Sequence, residues 1–187
     1  MDPFGNPTPV APQSTGPSKM MLALGGGLVL AIIIAFVLLL NSGGENIKSE
    51  VQRLSLQLTN LVTLTEESKE IIKDQEVGKV NSDALLVAST ASAQLTTLTT
   101  GMKLGKPSSE LVTQETDADA KQELDDAAVA GTFSRVYPPI LSKKMLNSAK
   151  LMKQIYGKTK DQELKEYLGK TYRSFTDISK QLDDLDS

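Results

Sequence analysis

The sequence contains no cysteine, no histidine and no tryptophan. Without cysteine there are no disulfides, no cysteine-based zinc sites and no thiol nucleophiles. Without histidine the chain lacks the commonest general base and transition-metal ligand, which excludes serine–histidine triads, HExxH zinc sites and Glu-x-x-His di-iron sites. We therefore expect a protein that is not an enzyme and holds neither a metal nor a cofactor.

Positive charge is also limited. The chain has 20 Lys and Arg residues against 23 Asp and Glu residues, for a formal net charge of -3. The basic residues are scattered and form no basic domain, whereas binding to nucleic acid depends largely on basic side chains that contact phosphates. We expect no nucleic-acid partner.

Residues 20–40 form an uninterrupted apolar run, MMLALGGGLVLAIIIAFVLLL. A helix rises about 1.5 Å per residue, so the run spans roughly 30 Å, the thickness of the hydrocarbon core of a bilayer. The run predicts a transmembrane helix over residues 19–41 and a single-pass protein of the cell membrane, with the lipid bilayer as a partner. The alternative is a cleaved signal peptide, whose apolar region is usually shorter, about 7–15 residues.

The charges on either side of this run indicate an orientation. Lys19 lies directly at its N-terminal boundary, and the first charge on the other side is the acidic Glu45. Lys and Arg favour the cytoplasmic side of a membrane helix, although the bias is weak in this chain. We expect a cytoplasmic N-terminal tail and an extracytoplasmic domain over residues 42–187.

The segments before and within the apolar run have distinct compositions. Residues 1–18 hold five of the eight prolines and cannot form a core, which predicts a disordered, Pro-rich tail. Small residues repeat at four-residue spacing within the run, and such a face allows two membrane helices to approach closely. These residues are Ala23, Gly27, Ala31 and Ala35. The spacing indicates either a helix-association face or the ordinary abundance of Gly and Ala in membrane helices.

Residues 42–187 repeat apolar side chains at intervals of three and four, as amphipathic helices do. This pattern predicts an all-α fold, a helical bundle of about five helices with a long coiled-coil-like first helix over 45–76 that Gly78 ends. The seam of the first helix comprises Ile47, Val51, Leu54, Leu58 and Leu61. The segment 84–102 is rich in Ser and Thr, so a strand is a weaker alternative there.

Residues with capping or breaking preferences predict the other helix boundaries. Counting the membrane helix as the first and 45–76 as the second, a third helix is expected to begin near Asn81-Ser82-Asp83 and a fourth to cover 109–136. Pro138-Pro139 is expected to end the fourth helix and begin the fifth, which Gly157 ends. Thr159 and Gln162 are expected to form a capping box for the last helix.

Two clusters of side chains are candidates for contact with ligands or partners. The aromatic residues Phe133, Tyr137, Tyr172 and Phe175 either pack in the core or line a ligand site. The lysines could face the acidic helix, anionic headgroups or a partner, or they are ordinary surface charge. These lysines are Lys143, Lys144, Lys150, Lys153, Lys158 and Lys160.

The sequence favours one function and leaves an alternative open. The leading hypothesis is a membrane-anchored protein that acts without catalysis, through self-association or contact with a protein partner, as a subunit or scaffold of a cell-envelope assembly. The alternative is an extracytoplasmic, sensor-like bundle that binds a small molecule between its last three helices. An enzyme would require a pair of carboxylates with perturbed pKa values in a cleft.

Overall fold

A computed structural model describes residues 45–185. Six α-helices and one 3-10 turn, Thr100–Met102, account for the regular structure of this range, which contains no strand. The helices are α1 (Glu45–Ser68), α2 (Gln75–Thr99), α3 (Ser109–Glu115), α4 (Ala118–Ala130), α5 (Phe133–Lys158) and α6 (Gln162–Asp184). The prediction of an all-α fold is confirmed for these residues, and the strand alternative for 84–102 is wrong.

Helices α1, α2, α5 and α6 form a four-helix bundle. α1 packs against α2 and α5, and α6 packs against the same two helices. Lys158 at the end of α5 pairs with Glu50 near the start of α1, so these helices are antiparallel. Tyr167 near the start of α6 donates a hydrogen bond to the carbonyl of Ala91 in the second half of α2, which makes that pair antiparallel as well.

Residues 100–132 form a long crossover between the α1–α2 hairpin and the α5–α6 hairpin. Within this crossover α3 contacts α1, and α4 contacts α5. Gln52 donates a hydrogen bond to the carbonyl of Gly105, and Asn60 donates one to the carbonyl of Glu115, so the crossover follows α1 toward its C-terminal end. A bundle of two hairpins joined by one long connection is a known four-helix topology.

The predicted seam of α1 lies in the core of this bundle. All of Ile47, Val51, Leu54, Leu58 and Leu61 are buried. Burial of an aliphatic side chain of this size stabilises the fold by about 1.5–3 kcal/mol. The stripe therefore binds α1 to its neighbours along most of its length.

A buried polar network joins three helices at one end of the bundle. The hydroxyl of Tyr137 in α5 donates to Oδ1 of Asn81 in α2, and Nδ2 of Asn81 donates to the carbonyl of Thr65 in α1 at 3.0 Å. Tyr137 and Asn81 are fully or almost fully buried. Asn81 is therefore a core residue inside α2, and the prediction that it begins a helix is wrong.

The boundary between α1 and α2 also differs from the prediction. α1 ends at Ser68, and Gly78 lies in the first turn of α2. α2 begins earlier than predicted because the carboxylate of Asp74 accepts hydrogen bonds from the amides of Glu76 and Val77, at 2.9 and 3.1 Å. A cap of this kind satisfies amides that would otherwise have no partner in the first turn.

The predicted helix over 109–136 is two helices, which raises the number from about five to six. The break falls at Asp117, whose side chain accepts a hydrogen bond from the amide of Ala120 at 3.1 Å and so caps α4. α4 then ends at Gly131, where φ is 71°, a left-handed conformation that glycine adopts at little cost.

Pro138 and Pro139 lie inside α5 and do not separate two helices, contrary to the prediction. Phe133 and Tyr137, one turn apart, stack with ring centroids 5.2 Å apart, and both are buried. Continuing the helix back to Phe133 keeps both rings in the core, which offsets the two hydrogen bonds that proline cannot make.

The start of α6 is the last boundary that differs. The cap is Asp161, whose side chain accepts a hydrogen bond from the amide of Leu164 at 3.0 Å, and not the predicted pair of Thr159 and Gln162. The hydroxyl of Thr159 accepts a hydrogen bond from the amide of Asp161. It therefore supports the loop before the helix.

Among residues 45–185, no helix combines the length and the apolar character needed to cross a bilayer. The predicted tail over 1–18 and the predicted transmembrane helix over 19–41 lie outside the described residues. The same holds for the predicted association face of Ala23, Gly27, Ala31 and Ala35. These three expectations stay predictions.

Candidate functional site

The four aromatic residues named as core or ligand candidates lie in or against the core. Phe133, Tyr137 and Phe175 are buried, and Tyr172 is half-buried and packs against the same cluster. None of the four lines the cavities described below. In the described residues all four contribute to the core, and Tyr137 also donates the hydrogen bond to Asn81 of α2.

A cavity among the described residues lies between α1 and α5, under the junction of α3 and α4. We call it the α1–α5 cavity, and its volume is about 610 Å³. Small-molecule sites commonly measure about 300–1,000 Å³. The cavity is therefore large enough for a small ligand.

The charges that line this cavity are divided by element. The cations come from α1 and α5, and the carboxylates come from the crossover. The cations are Arg53, Lys144 and Lys150, and the carboxylates are Glu115, Asp117 and Asp119. The bundle alone therefore offers a basic wall, which the crossover neutralises.

Glu115 fastens the crossover to α1. Its two carboxylate oxygens accept hydrogen bonds from Nε of Arg53 and, at 2.7 Å, from Nε2 of Gln57, and its carbonyl accepts one from Nδ2 of Asn60 at 3.0 Å. Arg53, Gln57 and Asn60 share one face of α1 because they are four and three residues apart. α3 itself has no buried residue. Polar contacts therefore hold this part of the crossover in place.

Asp117 fastens the crossover to α5. Its carboxylate accepts a hydrogen bond from Nζ of Lys144 at 2.9 Å, as well as the capping bond from Ala120. The hydrogen bond from Lys144 is the largest cause of a lowered pKa of Asp117, and the positive charge of Lys143 adds to the effect. Asp117 is therefore ionised at neutral pH.

Two polar atoms of the cavity-lining side chains are buried without a hydrogen-bond partner among the described residues. They are Oγ of Ser148, a residue that is 1% exposed, and Oε1 of Gln57. A buried polar group that lacks a partner costs about 1–3 kcal/mol, so such groups are rare in native proteins and call for an explanation. We find no group of acidic side chains in residues 45–185 that could hold a metal ion.

A second surface lies on the outer side of α2. From Ala84 to Met102 the chain has no charged residue. Leu86, Thr90, Ala93 and Thr97 form an exposed stripe at helical spacing, which we call the α2 face. Leu86 is 66% exposed. A shallow groove of about 470 Å³ between α2 and α6 adjoins Ala93 and Thr97.

The predicted lysine cluster does not act as a unit. Lys144 pairs with Asp117 of the acidic segment and Lys158 pairs with Glu50 of α1, whereas Lys150 lines the cavity and forms no ion pair with the described residues. Lys143, Lys153 and Lys160 are exposed, as is Lys150. The cluster is thus divided between the crossover contact, a contact with α1 and the surface.

Sequence reasoning missed the α1–α5 cavity. The available signal was the spacing of Arg53, Gln57 and Asn60, which forms a polar stripe beside the apolar seam of α1.

Comparison with protein-family models, with curated proteins and with solved structures gives no match. We therefore infer function from the residues themselves.

Proposed function

We propose that this chain is a single-pass, membrane-anchored helical protein that acts without catalysis, through protein–protein contact at the α2 face. In this proposal it is a subunit or scaffold of a cell-envelope assembly, and its partner is another protein or a second copy of the chain. The observation that supports the proposal most is the uncharged, exposed stripe from Leu86 to Thr97. The buried centres of protein interfaces are depleted in charged residues.

The size and composition of this surface fit a helix that docks on a partner. Leu86 to Thr97 spans roughly 16 Å of helix at about 1.5 Å per residue. Leu86 supplies an exposed apolar side chain, and the small and hydroxyl-bearing residues around it permit close approach. The adjoining groove toward α6 provides a concave surface beside the stripe.

The membrane anchor belongs to the same proposal and is supported by the sequence. The apolar run over 20–40 has the length of a transmembrane helix. Lys19 at its edge, followed by Glu45 on the other side, favours an extracytoplasmic domain. The small residues Ala23 to Ala35 offer a further contact within the membrane.

Cross-linking of the full chain in native membranes, followed by mass spectrometry, tests this function. We expect one stoichiometric partner or a homodimer for the wild type, and a loss of about tenfold or more in that product for Leu86→Glu, because a charge enters the contact. Val129→Glu is the matched control, since Val129 is 92% exposed on α4, away from the α2 face. Recovery of monomer alone from the wild type, or equal cross-linking by Leu86→Glu and wild type, would contradict the proposal.

A second candidate function is the sensor-like bundle that binds a small molecule. The α1–α5 cavity and its two partnerless polar atoms favour it. The candidate site is then this cavity and not the aromatic cluster around Tyr137. The two functions are compatible because the α2 face and the cavity share no residue.

A further inference from the structure

We propose that the α1–α5 cavity binds a small carboxylate that also carries an amino or hydroxyl group, the chemistry of an amino acid or a hydroxy acid. This inference develops the second candidate function and is independent of contact at the α2 face. It depends on the charges, the partnerless atoms and the size of the cavity. No part of it depends on residues 1–44.

The charges of the cavity leave one cation for a ligand carboxylate. Glu115 and Asp117 neutralise Arg53 and Lys144 through direct ion pairs. Lys150 on α5 is exposed at the rim of the same cavity and forms no ion pair with the described residues, and the same is true of the acidic Asp119. A carboxylate can therefore pair with Lys150, and an ammonium group has Asp119 as its counter-charge.

The partnerless atoms define the other groups of the ligand. The Ser148 hydroxyl can donate a hydrogen bond to a carboxylate oxygen. Nε2 of Gln57 is already used on Glu115, so the remaining atom, Oε1, can only accept. A ligand that satisfies both residues must present an acceptor to Ser148 and an N–H or O–H donor to Gln57.

The shape and lining of the cavity favour a small, polar ligand over an apolar one. Its volume of about 610 Å³ accommodates a molecule of this class together with water. Leu61 and Leu151 are its only large apolar lining residues, and neither is exposed. A ligand with a large hydrophobic group would find little surface to bury there.

Calorimetry and thermal unfolding of the full chain in mild detergent, with three related three-carbon monocarboxylates, test the inference. L-alanine adds an amino group to propionate, L-lactate adds a hydroxyl, and propionate itself carries neither. We expect alanine or lactate to bind at millimolar concentration or below and to raise the melting temperature. Propionate should bind about tenfold more weakly, or not at all, because it cannot donate to Gln57.

Two variants assign the binding to the cavity. Ser148→Ala and Lys150→Gln should each weaken the preferred probe by about tenfold or more. Ser148→Ala removes a partnerless hydroxyl, so it should fold at least as well as the wild type. Lys153→Gln is the matched control, because Lys153 is exposed on the same helix and does not line the cavity.

Two results would overturn the inference. One is the absence of binding by both alanine and lactate to a folded wild type at millimolar concentration. The other is unchanged affinity in both Ser148→Ala and Lys150→Gln. Leu86→Glu should leave the binding of these probes intact, so a failure of the cross-linking experiment and a failure of this one are distinguishable.

Discussion

Replacing Tyr137 with phenylalanine removes one hydroxyl from the polar network that joins α1, α2 and α5. The ring keeps its stack on Phe133, but Oδ1 of Asn81 loses the hydrogen bond that the phenol donates. Asn81 is 1% exposed, so solvent cannot replace that bond without a rearrangement of the core. The variant therefore isolates the energetic role of the network from that of aromatic packing.

The expected loss follows from the burial of the acceptor that is left behind. A buried polar atom deprived of its partner costs about 1–3 kcal/mol. For a domain of this size 1 kcal/mol corresponds to roughly 3–4 °C, so we expect the melting temperature to fall by about 3–12 °C. A double-mutant cycle with Asn81→Ala should give a coupling energy above about 0.5 kcal/mol, because the two side chains are in direct contact.

Thermal unfolding of the full chain in mild detergent, followed by circular dichroism, measures this loss. Tyr172→Phe is the matched control, since Tyr172 is only half-buried and its hydroxyl makes no hydrogen bond in the described residues. We expect that control to stay within about 0.5 kcal/mol of the wild type. If Tyr137→Phe is equally neutral, or if the cycle gives no coupling, the network does not stabilise the bundle and our reasoning about it is wrong.

Two further predictions concern pH. The pKa of Asp117 is lowered from 3.8, so its contribution to stability is complete above pH 3.8 and is lost as pH falls through the pKa of the folded state. Carboxyl NMR should place the titration midpoint of Asp117 below 3.8. Lys144→Gln should raise that midpoint again. An unmoved midpoint would contradict the pairing. Burial raises the pKa of Tyr167 above 10.0, so its contribution is intact below pH 10.0 and is lost above it. In an ultraviolet titration of the folded chain, the tyrosinate signal of Tyr167, identified by its absence from Tyr167→Phe, should appear only above pH 10.0. Appearance of this signal near pH 10.0 would refute the prediction.

The sequence predicted the core better than it predicted the helix ends. The seam of Leu54, Leu58 and Leu61 could be identified because burial requires apolar residues at a fixed period, whatever the partner helix is. The same pattern placed the end of α1 too late, because Ile72 continues the period. Ile72 lies in the loop after α1, where it is half-buried against the core. Its apolar side chain therefore indicated a buried position but not a helical one.

The ends of helices depended on single polar side chains that compete with one another. Asp74 and Asp117 each form a cap, whereas Asn81, an equally good capping residue, is used inside the core. Local capping preference could not distinguish these roles. Whether a side chain caps a helix or lies in the core depends on whether it finds a hydrogen-bond partner in another helix. Pro138 and Pro139 favour a break by local preference, but the burial of Phe133 and Tyr137 keeps the helix continuous.

The candidate cavity was beyond sequence reasoning because it is assembled across the chain. Glu115 meets Arg53 over a separation of 62 residues, and the contact exists only because the crossover follows α1. Aromatic type left Phe133 and Phe175 open as core or ligand residues, and both are buried in the core. Polar residues at helical spacing, such as Arg53 and Gln57, line the cavity.

The division of the bundle into two hairpins has a consequence for how the chain acquires its structure. Each hairpin is closed by a short loop, so its helices can zip together through contacts that are close in sequence, which favours rapid folding. Leu58 of α1 and Met145 of α5 are fully buried in the complete bundle. They can be buried only after the second hairpin has been synthesised and has packed against the first. Until then the nascent first hairpin exposes its apolar stripe, and it is the species most prone to aggregation during biosynthesis.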